Sequence, residues 1–533
     1  GLFLVAAGDS VERILAERDT RADRPVDTDD FDAALDALES QSRFVVVDNE
    51  TELAAVLDAS LAQWRVFLHP SQRRLVEGVK SGPVRVLGGA GTGKTVVAMH
   101  RAQWLAEHAL PENRKILFTT FTRNLAVDIQ ANLRELCPPR TLARIEVINL
   151  DAWVRRFLRQ RHYEYDIVWG ADERLWELAM ALKPADVNVP AGFYREEWQR
   201  IIQPQGLETL DDYKRASRLG RGTTLGRADR IKVWPVFEEY RSRMIEARKK
   251  EVEDAYRDAA HLIAEDRAGL PYAAVIVDEA QDMGPQAFRL LRALGPEGPN
   301  DLFIVGDGHQ RIYSRNKVVL SKWGIDIRGR SRKLRINYRT TEEIRNAAVA
   351  LLEGCAVDDL DGGADDQRNY KSLTHGQPPT RAHCASAADQ AVAIVRRIRE
   401  ALDRQVPAAA ICIVARTHHE LEDLERRLRE HRIASQTLQT EQAESVAPDA
   451  VRLATMHRVK GLEFDIVMVA SVNDDLVPLP VAVDTADPVE RATSELEERS
   501  LLYVALTRAR KQAYLFSYGK PSGFLTAIGH FDE

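Results

Sequence analysis

Residues 88–95 of this 533-residue chain read GGAGTGKT and satisfy every fixed position of G-x-x-x-x-G-K-[ST]. That spacing serves nucleoside triphosphate binding. Gly88, Gly89, Ala90, Gly91, Thr92 and Gly93 form a loop of small residues whose backbone N–H groups can face phosphate oxygens. Lys94 is placed to neutralise the β and γ oxygens, Thr95 to ligate Mg²⁺, and Val96 to continue the helix that opens there. Residues 273–282 (AAVIVDEAQD) supply the complementary half. An apolar strand there delivers Asp278 and Glu279 at its C-terminal edge, where open α/β sheets bind ligands. Asp278 suits Mg²⁺ held through water, and Glu279 suits orienting and deprotonating an attacking water. The two segments together predict a nucleoside triphosphate hydrolase, without saying what the energy drives.

The elements that must carry these residues are legible as short β-branched runs. Residues 84–87, 116–118, 274–277, 302–305, 411–414 and 466–469 lie between stretches of helical periodicity, the pattern of parallel sheets buried on both faces. The expected fold class is α/β: two parallel-sheet domains, with a helical insertion in the first. Residues 153–255 read as that insertion and hold Trp153, Trp169, Trp176, Trp198 and Trp234, five of the eight tryptophans. The expected organisation is an acidic helical segment at 1–60, a first domain at 61–152 and 256–334 around the insertion, and a second domain at 335–533. Residues 354–379, with DDLDGG and QPP, read as a flexible or irregular loop.

Charge is unevenly spread. The chain carries −7 overall, yet residues 1–60 hold 15 Asp/Glu against 5 Lys/Arg, so the remainder is close to neutral. Residues 213–250 hold 12 Lys/Arg against 4 Asp/Glu, and 218–230 (RLGRGTTLGRADR) mixes Gly with Arg. A basic surface therefore remains open despite the acidic total. No apolar run reaches the ~20 residues of a membrane helix. The apolar opening 1–8 lacks a basic leader and makes a poor signal peptide, and the start on Gly1 rather than Met suits a fragment or processed chain. Cys137, Cys355, Cys384 and Cys412 show no metal-site spacing, which fits a reducing cytoplasm.

Further segments, in order, resemble the motifs of superfamily 1 helicases of the UvrD/Rep/PcrA type. They are 69–72 (HPSQ), 119–126 (TTFTRNLA), 306–313 (GDGHQRIY), 335–340 (RINYRT), 455–465 (TMHRVKGLEFD) and 497–510 (EERSLLYVALTRAR). The resemblance spans about residues 61–520 and implies two RecA-like domains. It implies that Gln72 reads adenine, making ATP the nucleotide. It further implies that Tyr338 stacks on the base, Glu463 meets the ribose and Gln310 senses the γ-phosphate. Arg339 and Arg508 become arginine fingers from the second domain. For nucleic acid it implies Phe121, Thr122, Arg123, Asn124, Tyr313, Thr455 and His457 as strand contacts. The implied activity is an ATP-dependent 3′→5′ helicase or single-stranded DNA translocase, acting at single/double-strand junctions, with RNA a poorer substrate. A DNA-dependent ATPase switch, or the motor of a helicase–nuclease, is the alternative. The chain is expected to act as a monomer, with segment 1–60 available to a protein partner.

Three departures from the family stand out. Arg315 occupies a position that is usually aromatic, Val96 one that is commonly Arg, and only 115 positions separate Thr340 from Thr455. The short interval predicts that the accessory 2B subdomain is absent or vestigial, so the basic stretch with Arg221, Arg227 and Arg230 is the expected substitute duplex contact.

Overall fold

The computed structural model describes residue 68 and residues 72–528, apart from 191, 219, 267–268, 314–317, 366–369, 439–448 and 486. The acidic segment 1–60 and the motif residues before Gln72 lie outside the described residues.

Six strands build the first sheet: β1 (Val84–Gly88), β2 (Lys115–Thr120), β3 (Ile145–Asn149), β4 (Tyr272–Val277), β5 (Leu302–Gly306) and β6 (Ser331–Leu334). Their order is β3-β2-β4-β5-β1-β6, and every pair is parallel. Val86, Leu117, Phe118, Val275 and Ile276 are buried because helices cover both faces. Helix α1 (Lys94–Trp104) follows the phosphate-loop segment after β1, and α2 (Arg123–Leu136) follows β2. β5 lies between the strands that carry the two halves of the phosphate chemistry, so its C-terminal end opens onto the same edge.

Between β3 and β4 the chain builds a helical unit around an aromatic core. Trp176, Trp198, Tyr213, Trp234, Phe237 and Tyr240 interlock, with Trp176 and Trp198 meeting Tyr240 edge-on at 4.7 and 5.0 Å. Trp234, Phe237 and Tyr240 all lie on α3 (Arg227–Glu246). Glu251 sits against this core and accepts hydrogen bonds from Trp198 Nε1, Tyr240 Oη and Gln203 Nε2. Burial pushes its carboxyl up to about 7. Two of the five tryptophans depart from the expectation. Trp153 packs on Phe157 inside the first α/β core, and Trp169 is half exposed beneath Arg155.

The second sheet comprises β7 (Thr380–Cys384), β8 (Ile411–Ala415), β9 (Ser435–Thr437), β10 (Val451–Thr455), β11 (Phe464–Val469) and β12 (Ala509–Tyr518). Its order is β7-β12-β11-β8-β10-β9, again wholly parallel. Helix α4 (His418–Glu430) follows β8, and α5 (Pro488–Leu506) leads into β12. Both sheets are thus RecA-like α/β units.

The segment expected to be a loose loop is instead an acidic strap fastened to the first sheet. Asp358 pairs with Arg311 at 2.6 Å, Asp359 with Arg85 at 3.0 Å, and Asp365 with Lys333. Leu360 inserts into the first core, and residues 371–372 pair with 336–337. Two of these counter-ions, Arg85 and Lys333, stand on strands of the first sheet, and Arg311 stands just beyond β5.

Phe237 has no exposed surface and touches four aromatic neighbours. Phe237→Ala should cost about 3–5 kcal/mol, read as a lower urea midpoint of the tryptophan fluorescence transition.

Candidate active site and strand cleft

The phosphate loop is shaped by two residues that need positive φ: Gly91 at +73° and Gly93 at +80°. Gly93 caps α1, so the unpaired N–H groups of that helix's first turn face the loop. Lys94 turns back, and its Nζ donates to the carbonyls of Gly88 and Gly89 at 2.8 and 2.9 Å. Thr95 Oγ1 donates to Asp278 Oδ2 at 2.8 Å. These two oxygens come from the loop and from the neighbouring acidic edge, and they are the hard donor set that suits Mg²⁺. Gln72 Nε2 donates to Thr92 O at 3.0 Å, which sets it beside the loop. The Val96 side chain is partly buried against the first core.

Asp278 is fully buried at the end of β4, and burial together with the neighbouring Glu279 charge pushes its carboxyl up to about 7. Glu279 holds a left-handed backbone at φ +53°. Burial pushes its carboxyl up, but Lys460 and Lys94 outweigh burial and hold it below the usual range. At the end of β5, burial likewise opposes Asp307. Lys94 and hydrogen bonds from His309 and Gln310 overcome it and hold the carboxyl at about 2. Gln310 Nε2 donates to Asp307 Oδ2 at 2.7 Å, and its Oε1 accepts from Arg508 Nη2 at 3.0 Å.

Arg508 comes from the second unit, just beyond α5, and is 2% exposed. Burial and the nearby Arg339 lower its guanidinium to about 10, which still leaves it charged at neutral pH. The 335–340 motif leans on the phosphate loop: Tyr338 N donates to Gly91 O at 2.9 Å. Arg339 and Glu463, expected on phosphate and on ribose, pair with each other at 2.8 Å. The Tyr370 ring stands beside Gly89, close enough to crowd a methyl group there, a neighbour the motifs did not announce.

Lys460 is the main residue that sequence reasoning missed. Its side chain is 5% exposed, pairs with Asp282, stands 3.6 Å from Glu279 and donates to Gln310 O at 2.8 Å. It stands inside HRVKGLEFD, between the residues expected on the strand, Thr455 and His457, and the one expected on the ribose, Glu463.

A cleft of about 840 Å³ opens between the two sheets beside this site. Thr122, Arg123, Asn124, Tyr313, Thr455 and His457, all expected on a strand path, line it together. Phe121 stands at its edge, 4.9 Å from the Tyr313 ring, and His457 lies 6.0 Å beyond. Arg416, Thr417 and His418 also line the cleft, from the turn between β8 and α4, which carried no recognisable motif. Arg315 lies outside the described residues.

Arg221 requires a correction. Its side chain is 1% exposed and is held by Glu196 at 2.9 Å and Glu197 at 3.3 Å, so it lies on no accessible basic track. Arg218 shares Glu197, and Arg230 is spent on the backbone carbonyls of Tyr213, Lys214 and Ala216. A count of basic residues could not reveal their buried acids.

A methyl group on Gly91 would overlap Asn337 Oδ1, and its φ alone costs an L-residue roughly 1–2 kcal/mol. Gly91→Ala should therefore weaken ATP binding about tenfold or more, measured by titration with a fluorescent nucleotide. Burial and Arg416 lower His457 from 6.5 to about 4. Between those values the unfolded chain takes up a proton that the folded protein refuses, so stability falls as pH drops from 6.5 towards 4. The imidazole should titrate near 4 by NMR, and His457→Gln should lack this component of acid destabilisation.

Comparison with known proteins agrees with this geometry. The UvrD/REP helicase N-terminal domain matches residues 68–317, and the UvrD-like helicase C-terminal domain matches 332–442 and 434–520. A probable DNA helicase of Mycoplasma pneumoniae is 25% identical, the match covering 83% of each chain. DNA helicase IV of Escherichia coli is 26% identical over 87% of this chain and 70% of its own. ATP-dependent DNA helicase UvrD2 of Mycobacterium tuberculosis is 25% identical over 84% of this chain and 79% of its own. The two domain matches, which together span most of residues 68–520, show that the chain belongs to the UvrD-like superfamily 1 helicases, and its two parallel sheets fit that family.

Proposed function

We propose that this chain is an ATP- and Mg²⁺-dependent motor that moves 3′→5′ along single-stranded DNA and displaces duplex at single/double-strand junctions. One observation carries the reading: the segment from Gln310 to Tyr313 belongs to both sites. Gln310 meets Arg508, while Tyr313, three residues on, meets Phe121 and His457 in the cleft. A displacement at the phosphate end is therefore felt at the strand end.

The division of labour follows from which unit each residue belongs to. The first unit supplies Lys94 for phosphate charge, Glu279 to orient and deprotonate water, and Gln310. The second supplies Arg508, Arg339 and Lys460, so the site is complete only when the units are together. Thr95 and Asp278 would hold Mg²⁺, which supplies charge neutralisation on the phosphates. In the cleft, aromatic rings stack bases without regard to sequence, at about 1–3 kcal/mol each, which suits a translocating machine.

The 3′→5′ direction rests on family membership. Among the described residues, 380–438 contribute only strands and helices of the second sheet and their connections. That supports an accessory domain reduced or missing, and makes strand translocation the core activity, with RNA a poorer track. The four free cysteines suit a reducing cytoplasm, the unit is taken as a monomer, and segment 1–60 is left for a protein partner. No helix of the described residues is long and apolar enough to cross a membrane.

ATP hydrolysis and strand displacement on 3′-tailed, 5′-tailed and blunt DNA test the reading. Single-stranded DNA should stimulate hydrolysis, and 3′ tails should be displaced faster. Glu279→Gln should lose about 10²–10⁴ in turnover while still binding ATP, whereas Lys94→Ala should lose both. Hydrolysis indifferent to DNA would overturn the motor, and faster displacement from 5′ tails would overturn the direction.

A further inference from the structure

The basic segment expected to touch DNA is docked instead on the N-terminus of α5. Asp487 stands at the joint. One carboxylate oxygen caps α5 by accepting from the N–H groups of Val489 and Glu490 at 2.9 and 3.2 Å. The other accepts from Gly222 N at 3.1 Å, Thr223 N at 2.9 Å and Thr223 Oγ1 at 3.2 Å. Bonds from backbone amides to a carboxylate are about twice as strong as neutral ones. Around the joint, Glu490 pairs with Arg200 and stands 3.6 Å from Arg221, and Thr485 Oγ1 reaches Glu196 at 3.4 Å. Arg200, Arg221 and Glu196 all belong to the helical unit.

α5 has 19 residues, a rod about 28 Å long at 1.5 Å per residue. Its N-terminus holds the helical unit. Midway, Glu498 takes Arg416 at the cleft wall through contacts of 2.6 and 3.0 Å. Just past its C-terminus, Arg508 meets Gln310. A single helix thus touches the helical unit, the strand cleft and the nucleotide site.

We propose that Asp487 is a positioning residue that locks the helical unit to α5, so that closure of Arg508 over the nucleotide drags the helical unit along. The inference rests on the reading of Arg508 as a phosphate-facing arginine. Without the link, the helical unit, inserted in the first half, has no reason to follow the second.

Two variants break the link from opposite sides. Asp487→Ser keeps a good helix cap but has no second oxygen for residues 222–223. Gly222→Ala acts from the helical unit: its methyl group would overlap Asp487 Oδ1 most closely, so it displaces the carboxylate from residues 222–223 without changing a residue of α5. Dyes on cysteines at Val79 and Leu182 report the helical unit against the first sheet, and dyes at Val79 and Val392 report closure of the sheets. All three sites are exposed, and Cys355→Ser with Cys384→Ser removes the accessible native thiols. In the parent chain, Mg²⁺ with a non-hydrolysable ATP analogue should shift both pairs. In either variant the 79–392 shift should persist and the 79–182 shift should vanish. DNA-free ATPase should stay within about twofold while strand displacement falls about tenfold, the loss expected when two sites are uncoupled. A 79–182 response in the variants equal to the parent, or a parent silent at 79–182 while 79–392 moves, overturns the link. A parent silent at 79–392 overturns the reading of Arg508, and the link with it.

Discussion

Lys460 and Arg508 are cations that the second sheet buries in the acidic end of the first. Burying a charge is costly unless it is paired and hydrogen-bonded. Lys460 meets that condition through Asp282 and the Gln310 carbonyl, and Arg508 through Gln310 and three further oxygens of its own unit. The seam is therefore neither a greasy weld nor a free surface. Desolvation offsets much of the attraction, so small changes in charge at the phosphate site are able to alter how tightly the two sheets hold together. Lys460 also sets the chemistry, because with Lys94 of the phosphate loop it keeps Glu279 ionised in a place where burial alone would protonate it.

The loops that make this seam are short and stiff. Gly91 and Gly93 hold the phosphate loop, Glu279 accepts a left-handed backbone, and the 335–340 segment rests on the loop through Asn337 and Tyr338. Strain of this sort survives only where its surroundings over-determine it. Here the surroundings are the ends of β1, β4 and β5, fixed by two-sided burial in the middle of a sheet.

What was legible in the amino-acid order follows from range. The strands read correctly because two-sided burial demands unbroken apolar runs. Lys94, Thr95, Asp278 and Glu279 could be picked out because their spacing within a loop or strand end is itself the signal, and the fold brings them to one edge. Lys460 was hidden because its partners are set by the meeting of two sheets, not by its neighbours. Arg221 was misread for a related reason. Its acids lie 24 positions away at Glu197 and, across the joint, at Glu490, so a local surplus of positive charge looked free when it was already matched. The strap at 357–372 was read as loose because an acidic, Gly-rich string resembles a linker until Arg85, Arg311 and Lys333 are seen beside it.

That strap also bears on how the protein can be taken apart. By chain order it follows the last strand of the first sheet, yet Leu360 fills the first core and Asp359 neutralises Arg85 on β1. A polypeptide cut after residue 334 would leave a hole beside Gly306 and a guanidinium stranded in the sheet. A cut after residue 372 is no cleaner, because Ile344, Ala347, Ala348 and Leu351, which precede the strap, fill the second core. The chain crosses to the second unit, returns as the strap and crosses again, so the two halves are laced together rather than joined by one linker.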